Sequence, residues 1–266
     1  MIVALSSLTD FFRKIILLKL HGAFGIGEEL LASNSALYWV ITAVLAVIAY
    51  LVGSINFSIL ISKLKYHDDI RKYGSGNAGF TNMKRVYGNK AGFAALAGDI
   101  LKGAFCAGLT LLILGEDPAY IVGLACIIGH CFPIWYKFKG GKGVATTAAL
   151  LLVLEPVVFL IAFLIFVLMI AITKYLSVGS MSAALLYPLI LNNFYNLVYG
   201  SVSVVVAGEN SLIFASPIMN ICSIFIALFI VFNHRSNIMR IWNGTENKFS
   251  LKSKGSKEES KENPNA

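Results

Sequence analysis

Six apolar runs limit what this chain can fold into more than any other feature: residues 37–62, 91–114, 118–135, 144–173, 177–207 and 212–232. Each reaches the length, about 18 residues, at which an apolar stretch reads as a membrane-helix candidate. Composition agrees, with 57% hydrophobic and only 14% charged residues. A soluble domain is nearer half apolar and a quarter charged. Lipid is therefore the natural solvent for the surplus. In hydrocarbon every backbone group must be satisfied internally, so the runs are expected to be helices of an all-α polytopic membrane protein.

The net charge of +8 could suggest a nucleic-acid partner, but its distribution argues against one. Seven Lys or Arg lie in 63–90, three in 137–142, one at 174 and seven in 233–266. The connections near 115–117, 155 and 208–211 carry only Glu116, Asp117, Glu155 and Glu209. That asymmetry is the positive-inside signature, which predicts basic segments facing the cytoplasm. The N-terminus is then expected outside and the C-terminus inside. With Lys174 also inside, 144–173 must be a hairpin that turns at Glu155-Pro156. Its first arm, 144–154, would cover only about 16 Å, too short to cross alone. The count is about seven spans, some short. A six-span reading, with 144–173 as one helix, places Lys174 outside and ranks second.

Residues 1–36 form an N-terminal extension without a clean cleavable leader, because Arg13, Lys14 and Lys19 interrupt its apolar stretches. DFFRKIILLKL (10–20) reads either as an interfacial amphipathic helix or as a loosely ordered extension. Residues 37–250 are the membrane-embedded domain. The tail, 251–266, is polar, lacks aromatic residues and is expected to be disordered. Cys106, Cys126, Cys131 and Cys222 show no C-x-x-C spacing, so they suggest neither zinc nor a disulfide framework. No metal or cofactor is expected.

Three basic connections carry the chemistry. KYGSGNAGFTNMKR (72–85) contains G-x-G-x-x-G at Gly74, Gly76 and Gly79, with Asp99 where a dinucleotide fingerprint expects an acid. The context is wrong, however, because no βαβ unit surrounds it. Asp99 falls in an apolar run three residues before Lys102, and an i,i+3 pair explains it better. What remains is a glycine loop with Ser75, Asn77, Thr81, Asn82 and Arg85, whose N–H groups, hydroxyls and guanidinium suit phosphate. GHCFPIWYKFKGGKGVATT (129–147) sets Gly140, Gly141, Lys142 and Gly143 before a helix starting near Val144, an arrangement that attracts anions. It is not a Walker A loop, since Gly143 stands where Ser or Thr is required. NHRSNIMRIWNGTENK (233–248) groups His234, Arg235, Asn237, Arg240 and Glu246, and KYLSVGS (174–180) adds Ser177 and Ser180. Flexible or lipid-anchoring basic loops would explain the charges but not the repeated glycines.

At these residues the chain resembles the bacterial integral-membrane acyltransferases that use acyl-phosphate to acylate glycerol 3-phosphate. GSGNAGFTNMKR (74–85), GHCFPIWYKFKGGKGVAT (129–146) and HRSNIMRIWNGTE (234–246) match the family's three loop motifs, and DILKG (99–103) and YLSVGS (175–180) also match. The resemblance covers about 50–246, and the segment 191–211 is longer than the family pattern. It implies acylation of the sn-1 hydroxyl of glycerol 3-phosphate to lysophosphatidic acid, the first acylation of phospholipid biosynthesis. It also implies a bacterial cell membrane location, an active site facing the cytoplasm, and a soluble partner enzyme that makes acyl-phosphate. By resemblance the catalytic positions are Ser75, Arg85, Lys142, His234 and Asn237, which would hold glycerol 3-phosphate. Asn77, Thr81 and Ser180 would hold the acyl-phosphate head. Gly74, Gly76, Gly79, Asn82, Gly140, Gly141, Gly143, Ser177, Arg235 and Glu246 are carried over as substrate-binding positions, with Glu246 orienting an Arg or Lys.

No H-x-x-x-x-D occurs after His21, His67, His130 or His234, which argues against the acyl-coenzyme A type of glycerolipid acyltransferase. His130 reads as structural and His234 as a ligand contact. The departing phosphate is expected to take the hydroxyl proton. A small-anion carrier is the competing class, but carriers bind near mid-membrane between repeats, and these donors gather on one face.

Overall fold

A computed structural model describes residues 25–198, 203–206, 209–212 and 215–249. The 10–20 segment and the 251–266 tail lie outside them. Helices run in the order α1 (Ile26–Ser33), α2 (Ser35–Gly53), α3 (Phe57–Tyr66), α4 (Phe80–Leu114), α5 (Glu116–Cys131), α6 (Val144–Leu154), α7 (Pro156–Thr173), α8 (Leu176–Val198), α9 (Pro217–Asn233) and α10 (Arg235–Trp242). Between α8 and α9 lie two strands, β1 (Ser203–Val206) and β2 (Glu209–Leu212).

Local chemistry explains the breaks. Asn34, Asn56 and Ser216 cap α2, α3 and α9 by accepting from the N–H groups of Leu37, Ile59 and Met219. Glu155-Pro156 splits 144–173 where expected, with Pro156 in the first turn of α7, where its missing N–H costs nothing. α4 is two helices joined at Gly88, whose φ of 85° and ψ of 179° are not helical. The first piece, 80–87, folds back so far that a methyl group on Gly92 would meet Lys84 Cβ at 2.9 Å. Thr81, Asn82 and Arg85, expected on a loop, therefore ride on this short helix.

Among the described residues, four helical segments are long and apolar enough to cross a membrane: Ser35–Tyr66, Phe80–Leu114, Glu116–Tyr136 and Pro156–Thr173. A fifth appears if α9 and α10, bent by 51°, count together, and α6 is the short apolar helix expected at 144–154. α8 carries Pro188 and several Ser and Asn residues, which dilute its apolar character. Val40, Val47, Leu160, Leu164, Leu168 and Ile221 are exposed, as lipid-facing residues are. α2 and α5 cross closely at Gly53 and Gly129, where an added methyl would lie 2.2 Å from the Cys126 and Tyr50 carbonyls. The largest apolar core joins α4 to α9 around Tyr120, Ile127, Leu150, Leu154, Tyr187 and Ile226.

One helical expectation is corrected. The run 177–207 does not stay helical to its end, because β1 pairs antiparallel with β2, Ser203 opposite Leu212 and Val206 opposite Glu209. Val204, Val205 and Val206 are β-branched and suit a strand. This hairpin falls within and just beyond 191–211, the segment that exceeds the family pattern.

Candidate active site

The end of the bundle where α2 and α5 finish and α6 begins carries the three motif segments. Their best-connected part is a cluster around Glu246. Its Oε1 accepts from Asn237 Nδ2 at 2.6 Å and Ser177 Oγ at 2.8 Å, and its Oε2 accepts from Arg240 Nε at 2.7 Å. Lys142 Nζ donates to Asn237 Oδ1. Second-loop, α8 and C-terminal residues far apart in sequence thus share one hydrogen-bonded set. α10 carries Asn237 and Arg240 and leaves the line of α9 at a 51° bend by His234. Glu246 thus forms an ion pair with Arg240 as well.

Charge is held under tension here. Burial, then the Arg240 charge, lower the Lys142 ammonium to about 8, against a weaker opposing pull from Glu246. Burial and the Lys142 charge lower His234 to about 4, so its imidazole is neutral near pH 7. His234 Nδ1 lies 2.8 Å from the Ile230 carbonyl and must donate to it, which leaves the lone pair on Nε2. Burial alone would raise Glu246, but hydrogen bonds from Asn237, Arg240 and Ser177 outweigh it and hold the carboxyl below its ordinary value. A phosphate beside Lys142 and His234 would relieve the same tension by favouring their charged forms.

The glycine loops differ from expectation in how their N–H groups are used. Gly140 N donates to the Cys131 carbonyl at 3.0 Å and Gly141 N to the His130 carbonyl at 3.1 Å. These bonds close the second loop onto the end of α5. The N–H groups without an intrahelical acceptor are therefore those at the start of α6, after Gly143 at φ 85°. In the first loop Gly76 N donates to Tyr73 O, Gly79 N to Asn77 O, and Ser75 N to Asn82 Oδ1. Asn82 is buried, and its Nδ2 also donates to the Tyr73 and Ile70 carbonyls at 2.9 and 3.3 Å. Its side chain is thus taken up inside the loop, and a methyl on Gly74 would collide with its Oδ1.

Other positions divide. Ser75 and Arg85 are exposed, and Asn77 and Thr81 are half-buried. Ser180 is buried and donates to the Leu176 carbonyl at 3.0 Å. Arg235 turns away from the cluster and lies 4.7 Å over the Phe232 ring. Two residues outside the expected set matter. Arg71 donates at 2.8 Å to both the Tyr136 and Lys139 carbonyls, stapling the first loop to the second, and Asp69 braces it. Its acceptors are backbone atoms some 65 residues away, so no motif announces them. Lys84 lies 5.8 Å from the Phe249 ring, and Phe249 N donates to Lys174 O, which brings the C-terminal segment beside the 80–87 helix.

Among the described residues no group of three or more His, Cys, Asp or Glu could hold a metal ion. What the arrangement offers is cations, a neutral imidazole and a helix start, which together suit an anion with a nearby hydroxyl.

The glycerol-3-phosphate acyltransferase family model matches residues 43–244. The glycerol-3-phosphate acyltransferase of Finegoldia magna is 42% identical over 207 residues, 77% of this chain and 94% of that protein. Glycerol-3-phosphate acyltransferase 2 of Bacillus anthracis is 41% identical over 76% of this chain and 96% of that protein. A crystal structure of PlsY (YgiH), an integral membrane glycerol 3-phosphate acyltransferase in its glycerol 3-phosphate form, matches with a TM-score of 0.67 and 33% identity. That match covers 79% of this chain and 96% of the other. The chain belongs to the glycerol-3-phosphate acyltransferase family.

Proposed function

We propose that this protein transfers an acyl group from acyl-phosphate to the sn-1 hydroxyl of glycerol 3-phosphate, releasing phosphate and lysophosphatidic acid. The reaction would be the first acylation of phospholipid biosynthesis. It would take place at the cytoplasmic face of a bacterial cell membrane, where a soluble enzyme can deliver acyl-phosphate. The observation that carries the reading is the Lys142–Asn237–Glu246–Ser177 cluster beside His234, at the basic end of a lipid-embedded bundle. The relatives' names and the glycerol 3-phosphate form of the similar structure support the acceptor. The motif resemblance and the lack of an H-x-x-x-x-D pair support the donor.

The chemistry asks little covalent work of the protein. The hydroxyl oxygen attacks the carbonyl carbon of a mixed anhydride, the bond from that carbon to the phosphate oxygen breaks, and phosphate leaves with the electron pair. Lys142 and the start of α6 favour negative charge on phosphate, and Asn237, held by Glu246, fixes the Lys142 ammonium. His234, with its pKa lowered to about 4, is a weak base near pH 7. A phosphate oxygen, whose second pKa is about 6, is the better proton acceptor. His234→Gln should therefore keep appreciable turnover at saturating substrate, whereas a kcat loss of about 10⁴ would assign the base to His234.

The deciding experiment offers the purified full-length protein acyl-phosphate, acyl-coenzyme A and acyl-carrier protein in parallel, each with glycerol 3-phosphate. Lysophosphatidic acid from acyl-phosphate alone is the expected result. Absence of product with acyl-phosphate would overturn the donor assignment.

A further inference from the structure

A buried ion pair lies beneath the glycine loops. Lys102 Nζ is 2.8 Å from Asp99 Oδ1, and both side chains are almost wholly buried. The ammonium also donates to the Gly53 carbonyl at 2.9 Å and the Ile55 carbonyl at 2.7 Å. Its hydrogen-bond partners are thus two carbonyls and one edge of the His130 ring, with Asp99 as its counter-charge. His130 Nδ1 stands 3.1 Å from Lys102 Nζ and 3.3 Å from Asp99 Oδ1. The Nδ1 edge of the ring faces the ion pair, and Nε2 faces away from it.

That outward edge abuts the second loop. A methyl on Gly141 would lie 2.1 Å from His130 Nε2, so only a glycine lets the backbone rest against the ring. The same methyl would be 2.8 Å from the Ala78 carbonyl of the first loop. Asn56, next to the Ile55 carbonyl that Lys102 holds, donates its Nδ2 to that Ala78 carbonyl at 3.3 Å. Both loops therefore rest on one charged pedestal that joins α4, α5 and the end of α2. Ionisable groups within a membrane are costly, and stability alone gives them no advantage over a well-packed apolar core. Their retention calls for a role that packing cannot supply.

We propose that Asp99, Lys102 and His130 are positioning residues that set the Gly140-Gly141 backbone, and through it Lys142 and the start of α6, at the distance from the first loop that the phosphate substrate needs. This rests on the acyltransferase reading above. The unit touches no reacting atom. Its loss therefore acts on binding of glycerol 3-phosphate more than on turnover.

The test compares His130→Asn with His130→Gln in the purified full-length protein. Asn replaces the Nδ1 edge and removes the Nε2 edge, whereas Gln places an amide nitrogen near Nε2. Positioning predicts that His130→Asn raises KM for glycerol 3-phosphate by about tenfold or more while kcat stays near wild type, and that Gln restores most of the loss. Equal losses in the two variants that follow the folded fraction, or an unchanged KM in both, would overturn the proposal. If His130→Asn does not fold, Gly141→Ala reads the same contact. Combined with His130→Gln, whose flexible side chain can yield to the new methyl, its KM defect should shrink, and strictly additive effects would overturn the proposal. Glycerol 3-phosphate binding measured by calorimetry keeps the outcomes separate. Wild-type protein that binds the ligand but makes no product from acyl-phosphate would sink the donor assignment and leave the positioning test intact.

Discussion

The two ends of the helix bundle both place polar groups against lipid-embedded helices, and they satisfy them in opposite ways. At the end where α5 starts and α6 meets α7, Glu116 and Glu155 are buried around one hydroxyl. Tyr195 Oη lies 2.7 Å from Glu155 and 3.2 Å from Glu116. Ser216 closes on Asp117 nearby. At the loop end the dominant charges are cationic, His234 and Asn237 are buried with Lys142 half-buried beside them, and burial lowers Lys142 and His234 toward neutrality. The acidic end ties helix ends together with groups of its own. The basic end keeps cations under a strain that an anionic ligand would relieve. Loss of the first set should unfold the protein, and loss of the second should disable it.

The sharpest break in that comparison is Lys142→Gln. The amide preserves a hydrogen bond toward Asn237 but removes the charge. A drop of about 10²–10³ in kcat/KM is expected, the scale of losing one electrostatic donor in a transition state. The thermal midpoint should hold or rise, because a buried charge has gone. A Lys142→Gln protein with wild-type kcat/KM would erase the distinction between the ends.

Tyr195→Phe tests the other end. The hydroxyl bridges two buried carboxylates in the structure, and removing it should cost about 1–3 kcal/mol of stability. Thermal unfolding in detergent would report this as a lower midpoint. KM and kcat per folded molecule should stay at wild-type values. A selective kcat defect with an unchanged midpoint would mean that the acidic end takes part in catalysis.

The pH dependence separates the ends without mutation. Lys142, lowered to about 8, should lose its proton from the free enzyme as pH rises through that value. If charged Lys142 binds phosphate, kcat/KM falls about tenfold per pH unit above 8. The stability effect has the opposite sign. Between about 8 and its ordinary value near 10.4, the lysine of the unfolded chain is protonated and the folded one is not. Stability then rises with pH across that window. Activity and stability should therefore diverge in the alkaline range, and Lys142→Gln should remove both trends.

Much of this contrast could be read from sequence. Acidic and basic connections alternate, Pro156 marks the α6–α7 turn, and Asp99 and Lys102 stand one helical turn apart. Other features left no local trace. Gly88 looks like any isolated glycine in a helical pattern, yet it turns the 80–87 helix back across the site. Val204–Val206 extends an apolar run, and periodicity alone cannot separate a strand from a helix there. The glycines at 140 and 141 suggested N–H groups aimed at phosphate. Those groups close on the His130 and Cys131 carbonyls, which become acceptors only because α5 ends beneath the loop. Arg71 joins two loops through carbonyls, and a carbonyl has no residue-type signature.

The smallest effect concerns Arg235, which the motif resemblance places among substrate-binding positions. It sits one residue past His234 and bears the charge expected of a phosphate ligand. Its guanidinium instead lies over Phe232 and donates to the Phe232 carbonyl at 3.3 Å, on an exposed surface. On the proposed reading, membership of the basic end is not enough, and the chemistry would belong to the cations that Asn237 and Glu246 hold. Arg235→Gln should change kcat/KM by no more than about twofold, in line with the ±0.5 kcal/mol typical of surface substitutions. Arg240→Gln, which removes the partner 2.7 Å from Glu246, should cost clearly more in the same assay. If the order is reversed, Arg235 swings onto the substrate, and the basic end works as a set of mobile charges rather than a prearranged cluster.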